Sequence, residues 1–408
     1  MKVLFFITSS MEKPSPSWHL MKALMEDVLS SGIKIHAIQR HYEDFDGLPF
    51  PEEILQNSNF TYSLIKSKMV NKKNFIKRYV SGFIYAKKSK KYFRQNNDFD
   101  LVFVQSSPTS LFYLDVARHF AKKRPVIYNS QDMFPGSAIA NGSISNKIIQ
   151  KTFYKLQKIA YNKADIITAI SEDMKDKLIE QGVSTEKINV IVNWYDDTSV
   201  KEISWEQNKF VEKYNLEKDK FYVQYAGTMG TNFNPDVILK VAEKLKEYPN
   251  IIFQMIGNGV RKEKFEKEAC NLNLNNIKFY PLQPQEIVSD VYSACSVCII
   301  PLKKGVIGNS VPSKAALLMA CRKPIINAVD YSSDYAQMFE REKIGFSADV
   351  DDYDKISRDI IYLYENNEEL IAFANRAKEY GILEYSRQVN TKKYVELFKN
   401  IVNGVINE

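Results

Sequence analysis

Strand-length apolar runs alternate with helical patterns along almost the whole of this 408-residue chain, and that alternation constrains the fold more than any other feature. In the first half the runs are Val3–Thr8, Ile33–Ile38, Leu101–Gln105, Val126–Asn129, Ile166–Ile170 and Val190–Val192. Amphipathic segments such as Trp18–Leu29, Leu111–Phe120 and Lys147–Tyr161 lie between most of them. Near-continuous apolar strands separated by helices require a parallel sheet covered on both faces, so the pattern predicts a doubly wound α/β domain. From Asp196 to Asp219 the chain turns polar and loses its strands, as expected of a segment joining two domains. A second series follows at Phe221–Ala226, Ile251–Ile256, Ile277–Tyr280, Val297–Pro301, Pro324–Ala328 and Gly345–Ala348. Beyond Asp351 the pattern is helical, and Val389–Val402 is long enough to cross back onto the first half. The expected divisions are 1–196, 197–385 and a final helix at 386–408.

Composition narrows the class. With 45% hydrophobic and 26% charged residues the chain can bury sizeable cores, which excludes disorder. Four cysteines exclude an extracellular disulfide framework, and the first ten residues carry no cleavage signature, so a cytoplasmic protein is expected. Cys295 and Cys298 form a C-x-x-C at a helix end running into an apolar strand, a setting that favours small core residues over redox or metal chemistry. The four histidines lack zinc-ligand spacing, and no apolar stretch approaches the ~20 residues that span a bilayer.

The net charge of +7 is concentrated. Residues 54–97 contain eleven Lys and Arg and no acid, which leaves the rest of the chain at −4. Within that segment Phe75, Ile76, Tyr79, Val80, Phe83 and Ile84 recur at helical spacing, flanked by Lys72, Lys73, Lys77, Arg78, Lys87 and Lys88. Such a helix can either pack its stripe on the sheet or lie on an anionic membrane surface. No nucleic-acid-binding motif accompanies the lysines.

Open α/β sheets bind ligands at the carboxyl ends of their strands. Two turns of the second half stand out. In Tyr225-Ala-Gly227-Thr228-Met229-Gly230, the glycines permit close backbone approach, and Asn234-Pro235 is a cap with Pro at the first helical position. Gly308-Asn309-Ser310-Val311-Pro312-Ser313-Lys314 precedes the helix Ala315–Cys321; a lysine in a first helical turn opposes the helix dipole unless an anionic ligand is present. Lys314 is therefore a candidate phosphate ligand.

These segments, with Met255-Ile-Gly-Asn-Gly259, Met319-Ala-Cys-Arg-Lys-Pro324, Ala164–Ser171 and Val190–Asp196, resemble the family 4 glycosyltransferases over nearly the whole chain. Gln131-Asp132-Met133-Phe134-Pro135, with Gly142 following, further resembles the branch of amino-sugar and fucosaminyl transferases that build bacterial surface polysaccharides. The resemblance implies a GT-B fold, two Rossmann-like domains facing a cleft. It implies a retaining, metal-independent transfer from a nucleotide diphosphate sugar, such as a UDP-sugar, to a polyprenyl-diphosphate-linked glycan at the inner face of a membrane, with no cofactor. Donor-binding candidates are Gly227, Thr228, Gly230, Arg261, Lys262, Gly308, Asn309, Ser310, Ser313 and Lys314, with Lys303 and Lys304 as lesser ones. Asp132 and Gln131 are the catalytic candidates of the first half.

The chain departs from the family pattern at four places. The positions of the family's Glu-x7-Glu are Asn309 and Leu317, Arg322 stands for a glycine, Gln131 stands for a histidine, and Thr8–Pro16 replaces a glycine-rich loop. The missing acidic pair supports one alternative, a catalytically silent partner subunit of the same fold; the other, a nucleotide-sugar 2-epimerase, expects an acid and base set that the sequence does not offer. Asp349-Val350-Asp351 is expected to be solvent-facing capping rather than a metal pair.

Overall fold

The computed structural model describes residues 1–12, 16–70, 75–140 and 142–404, without the side chains of Pro16, Ser17, Phe75 and Ile76. The chain forms two compact units, Met1–Val192 with Gln388–Glu408, and Asn193–Arg387. The first unit runs β1 (Lys2–Phe6), α1 (Pro16–Ser30), β2 (Lys34–Tyr42), α2 (Glu52–Leu55), β3 (Phe60–Ser67), α3 (Phe75–Gln95), β4 (Leu101–Gln105), α4 (Ser110–Ala121), β5 (Val126–Asn129), α5 (Gly136–Ala140), α6 (Lys147–Tyr161), β6 (Ile166–Ala169), α7 (Glu172–Glu180) and β7 (Ile188–Val190). The second runs α8 (Lys209–Tyr214), β8 (Phe221–Ala226), α9 (Pro235–Lys244), β9 (Ile251–Ile256), α10 (Lys262–Asn271), β10 (Ile277–Tyr280), α11 (Val288–Ser293), β11 (Val297–Pro301), α12 (Lys314–Ala320), β12 (Ile325–Ala328), α13 (Asp334–Arg341), β13 (Gly345–Ala348), α14 (Tyr353–Glu365) and α15 (Asn367–Tyr385). Helix α16 (Arg387–Val402) returns to the first unit, where Tyr394 and Phe398 set their rings against Phe103, 5.9 and 5.5 Å between centroids.

Both sheets are parallel, with orders β3-β2-β1-β4-β5-β6-β7 and β10-β9-β8-β11-β12-β13. Each therefore reverses direction beside its first strand, between β1 and β4 and between β8 and β11, and ligand sites of such sheets open there. The central strands are buried along their whole length, as the continuous apolar runs require.

Three readings from the pattern are corrected, and one left open for α3 is narrowed. Strand β3 was not foreseen: as the edge partner of β2 it buries Phe60 and Ile65 but exposes Thr61 and Tyr62, so it shows no continuous apolar run. The strand expected at Val190–Val192 lies at Ile188–Val190. The polar segment after Asp196 is no free linker; Val200, Phe210 and Val211 pack into the second unit, and Asn208 caps α8 by accepting from the amides of Phe210 and Val211. Finally, α3 presents Gly82, Tyr85, Ala86, Ser89 and Phe93 inward, whereas Val80, Phe83 and Ile84 of the expected stripe are exposed. Gly82 explains the rotation: a Cβ there would lie 2.5 Å from Thr109 Oγ1, so that face sits against the start of α4.

Candidate functional site

At the switch point of the second sheet, three backbone segments close on one another. The turn after β8 is held by the amide of Met229, which donates to Asn258 O at 2.8 Å, and by the amide of Arg261, which donates to Met229 O at 3.1 Å. On its other side the amide of Lys303 donates to Asn232 O at 3.0 Å and that of Asn234 to Pro301 O at 3.0 Å. This proximity depends on glycine. A Cβ on Gly257 would lie 2.0 Å from Gly227 O, and one on Gly259 would lie 2.4 Å from Met229 O, with φ of +143° and +151°. The sequence pair Gly227 and Gly230 is thus half right: Gly227 has φ +148°, but a Cβ on Gly230 would meet nothing nearer than Thr228 Cγ2 at 3.5 Å. Asn234 does cap α9 by position, with Pro235 following, yet its side chain makes no cap hydrogen bond.

Lys314, the first residue of α12, reaches back over this turn. A Cβ on Gly227 would lie 2.8 Å from its Nζ, and the ammonium stands 3.6 Å from the Tyr225 ring centroid. Tyr225 is fixed in turn by donating from its hydroxyl to Thr228 O at 2.7 Å. Burial lowers the Lys314 ammonium to about 7, partly offset by nearby Cys298. Among the described residues its only partner is the Tyr225 ring; no carboxylate pairs with it. Sequence reasoning gave Tyr225 no role, since a cation–π seat has no signature in a strand.

Three further cations, Arg261, Lys262 and Lys303, stand at the same turn. Burial and the neighbouring Arg261 lower Lys303, with Asp236 opposing. Lys262 is committed elsewhere: its Nζ donates to Gly257 O at 3.0 Å and pairs with Glu266 at 3.7 Å, so it braces the loop rather than awaiting an anion. The segment from Gly305 to Ser310 is anchored by Asp330, whose carboxylate accepts from the Gly305 amide at 2.8 Å, a residue the sequence did not single out. Asn309 Nδ2 donates to Gly305 O at 2.9 Å, Gly308 turns with φ +83°, and the amide of Ser310 donates to Val306 O. Ser313 is the N-cap of α12 without a side-chain bond, and Leu317 packs against the apolar core. Arg322 takes φ +57°, the left-handed position at which the family pattern has glycine, and its guanidinium pairs with Glu202 at 3.1 Å.

In the first unit the loop after β1 is organised by side-chain amides. Gln105 Oε1 accepts from the Thr8 amide at 3.1 Å and from Ser9 Oγ at 3.0 Å, and Gln39 Oε1 accepts from the Met11 amide. The part of that loop from 13 to 15 lies outside the described residues. After β5, Gln131 donates from its amide to Ser106 Oγ and from Nε2 to Asn129 Oδ1 at 3.2 Å; Asn129 Nδ2 donates to Tyr394 of α16 at 2.7 Å. Asp132 is beside this network, open at its surface, with no side-chain hydrogen bond among the described residues. The protein packed around its carboxyl raises it to about 6.

Of the basic segment, Lys72 and Lys73 lie outside the described residues, as does the side chain of Phe75. Lys77, Arg78, Lys87 and Lys88 are exposed on α3, and Tyr79 and Phe83 set their rings against Phe112 of α4, both at 5.2 Å. Cys295 and Cys298 are buried in the second core. Asp349 accepts from the Val350 amide, and it is Asp352 that caps α14. Among the described residues no three His, Cys, Asp or Glu side chains converge on a metal position, and no helix is long and apolar enough to cross a membrane.

Residues 45–199 match the family model described as Glycosyltransferase Family 4, and residues 206–380 match that described as Glycosyl transferases group 1. The chain is 22% identical over 210 residues to the "Putative colanic acid biosynthesis glycosyl transferase WcaI" of Escherichia coli, covering 51% of each chain. It is 23% identical over 222 residues to the "Probable glycosyltransferase WbjE" of Pseudomonas aeruginosa, covering 54% of each. It thus spans about half the length of these curated relatives. The solved structure of Anabaena HepE in complex with UDP superimposes with a TM-score of 0.73 at 14% identity, over 98% of this chain and 100% of that one, a likeness of fold.

Proposed function

This chain belongs to the family 4 glycosyltransferases, and from that premise we propose that it transfers a sugar, with retention and without a metal, from a UDP-sugar to a lipid-linked glycan in bacterial surface-polysaccharide synthesis. The donor binds in the second unit and the acceptor in the first. The observation that carries this reading is the Lys314 ammonium, a desolvated cation on a half-buried side chain with no anion beside it among the described residues, at the switch point of a Rossmann-like sheet. A buried charge without a partner is costly, and a diphosphate supplies the missing one. Arg261 and Lys303 add positive charge where a departing diphosphate would gather negative charge, which is what a metal ion would otherwise do. HepE, which shares the fold, is described in complex with UDP and with UDP-glucose, and the name of WcaI places that relative in colanic acid synthesis; both support the nucleotide and the pathway class. The exposed, basic α3 supports an acceptor presented at an anionic membrane surface.

Asp132 holds or deprotonates the acceptor, with Gln131 positioned by Asn129 beside it. Because the protein packed around this carboxyl desolvates it and raises it to about 6, the ionised form that accepts a hydrogen bond is lost below that pH. Turnover is expected to rise with pH through about 6 to a plateau. Asp132→Asn is expected to remove that limb and to lower turnover by about 10²-fold or more, with UDP affinity unchanged, as read in a pH–rate profile beside calorimetry.

A second reading, a silent partner subunit, draws on Asn309 and Leu317, where the family's acidic pair is absent. The test is a panel of UDP-, GDP- and TDP-sugars incubated with and without a lipid diphosphate-sugar acceptor, with nucleotide release and product anomer followed. Acceptor-dependent release of UDP with retained configuration supports the transferase. Failure to bind any donor supports the silent subunit, and sugar interconversion without acceptor the epimerase.

A further inference from the structure

A cavity of about 440 Å³ opens in the first unit between the carboxyl ends of β2 and β3 and the stretch of α3 from Lys77 to Lys88. Its charged lining is four lysines, Lys66, Lys68, Lys77 and Lys88, against the single carboxylate of Glu43. Among the described residues Lys66 and Lys68 make no ion pair or hydrogen bond through their ammonium groups, and Lys88 donates only to Lys66 O at 3.0 Å. Behind the wall stands a further cation. Arg40 is buried at 8% exposure and has no carboxylate partner among the described residues: it donates to Thr8 O, to Ser81, which lines the cavity, and to Tyr113 Oη. Its guanidinium also stacks 4.4 Å from the centroid of Tyr85, another lining residue. A buried guanidinium with no carboxylate on it among the described residues, and the ammonium groups of Lys66 and Lys68 without ion pairs, give this concavity an excess of positive charge. The rest of the wall is Val70, Val80, Ile84 and Tyr85 with Ser67 and Ser81, and its apolar part continues onto the surface through Val80, Ile84 and Phe83, about half exposed at 52%, 46% and 51%.

An anionic head with a long apolar chain matches both parts. We propose that this cavity binds the phosphate or diphosphate of a single lipid-linked acceptor, with the lipid chain leaving over Val80, Phe83 and Ile84; this rests on the proposed transfer to a lipid-linked glycan. Position favours the acceptor over bulk phospholipid. The cavity lies at the same end of the sheet as Asp132, and β3 and β5 are four strand positions apart, about 19 Å at ~4.8 Å each. A short glycan on the diphosphate covers that reach.

The full chain is tested for binding to neutral phosphatidylcholine vesicles carrying a few mole per cent of polyprenyl phosphate, to phosphatidylglycerol vesicles of equal charge, and to UDP. Preference for the polyprenyl phosphate vesicles is expected. It should fall about a hundredfold in a Lys66→Gln/Lys68→Gln/Lys88→Gln variant that keeps its melting temperature and UDP affinity. Ile84→Asp, an exposed change, should weaken it as well. Equal binding to both vesicles, no binding to either, or full binding by the triple variant would each overturn the site. UDP binding without lipid-phosphate binding would sink this site and leave the donor reading standing; the reverse result would sink the donor reading alone.

Discussion

Lys314→Met should lose about 10²-fold in affinity for UDP and at the same time make the protein more heat-stable near neutral pH. The two effects share one cause. The ammonium is desolvated in the free protein, which lowers it to about 7, and a bound diphosphate returns the lost solvation as charge-assisted hydrogen bonds. Truncating one partner of such a pair costs roughly 2–5 kcal/mol of binding. Without ligand the same charge is a burden that the Tyr225 ring, 3.6 Å away, offsets in part. Removing it should gain roughly 1–2 kcal/mol, as at other active sites that sacrifice stability.

The sign with pH follows. In the unfolded chain the lysine keeps its proton to about 10.4, so between about 7 and that value the unfolded state binds more protons. Wild-type stability should therefore rise with pH across this window, and the Met variant should lack the rise. UDP prefers the ammonium, so affinity should be highest below pH 7 and should weaken above it, with uptake of a proton on binding at pH 8. Calorimetry in two buffers of different ionisation enthalpy measures that proton. Unchanged affinity in the variant would remove Lys314 from the site.

The second large effect is expected at Gly257. Alanine there would place its Cβ 2.0 Å from Gly227 O at a φ of +143°, so either strand β9 or the turn after β8 must move. A cost of about 2–4 kcal/mol in urea unfolding is expected, with loss of UDP binding. Gly230→Ala, where the nearest atom would be 3.5 Å away, should change stability by less than about 0.5 kcal/mol and leave UDP binding intact. A tolerant Gly257 with a sensitive Gly230 would reverse the assignment of which glycines build the turn.

These two glycines show what could be read in advance. Gly227-x-x-Gly230 is a visible motif because its members are near in sequence, but the contact that matters joins Gly227 to Gly257 across neighbouring strands. In the same way the lysine pattern of residues 54–97 was visible, and its helical period correct, yet the face it turns to the sheet was not. Val80 and Ile84 are apolar and spaced for burial; Gly82 against Thr109 is what rotates them outward. Strand β3 was lost because an edge strand needs no continuous apolar run.

The sequence by itself determined that this protein is two parallel α/β units with ligand turns at the carboxyl ends of their strands, because burial on both faces writes itself as local periodicity. It also singled out Lys314, since a cation at a helix start contradicts the dipole. Only the tertiary structure decided that Lys314 rests on Tyr225 with no anion among the described residues, that Lys262 is already used by its own loop, and that Arg40 stands behind a basic cavity with neutral partners among the described residues. Those facts depend on which distant side chains share a dielectric environment, and chain proximity carries no record of that.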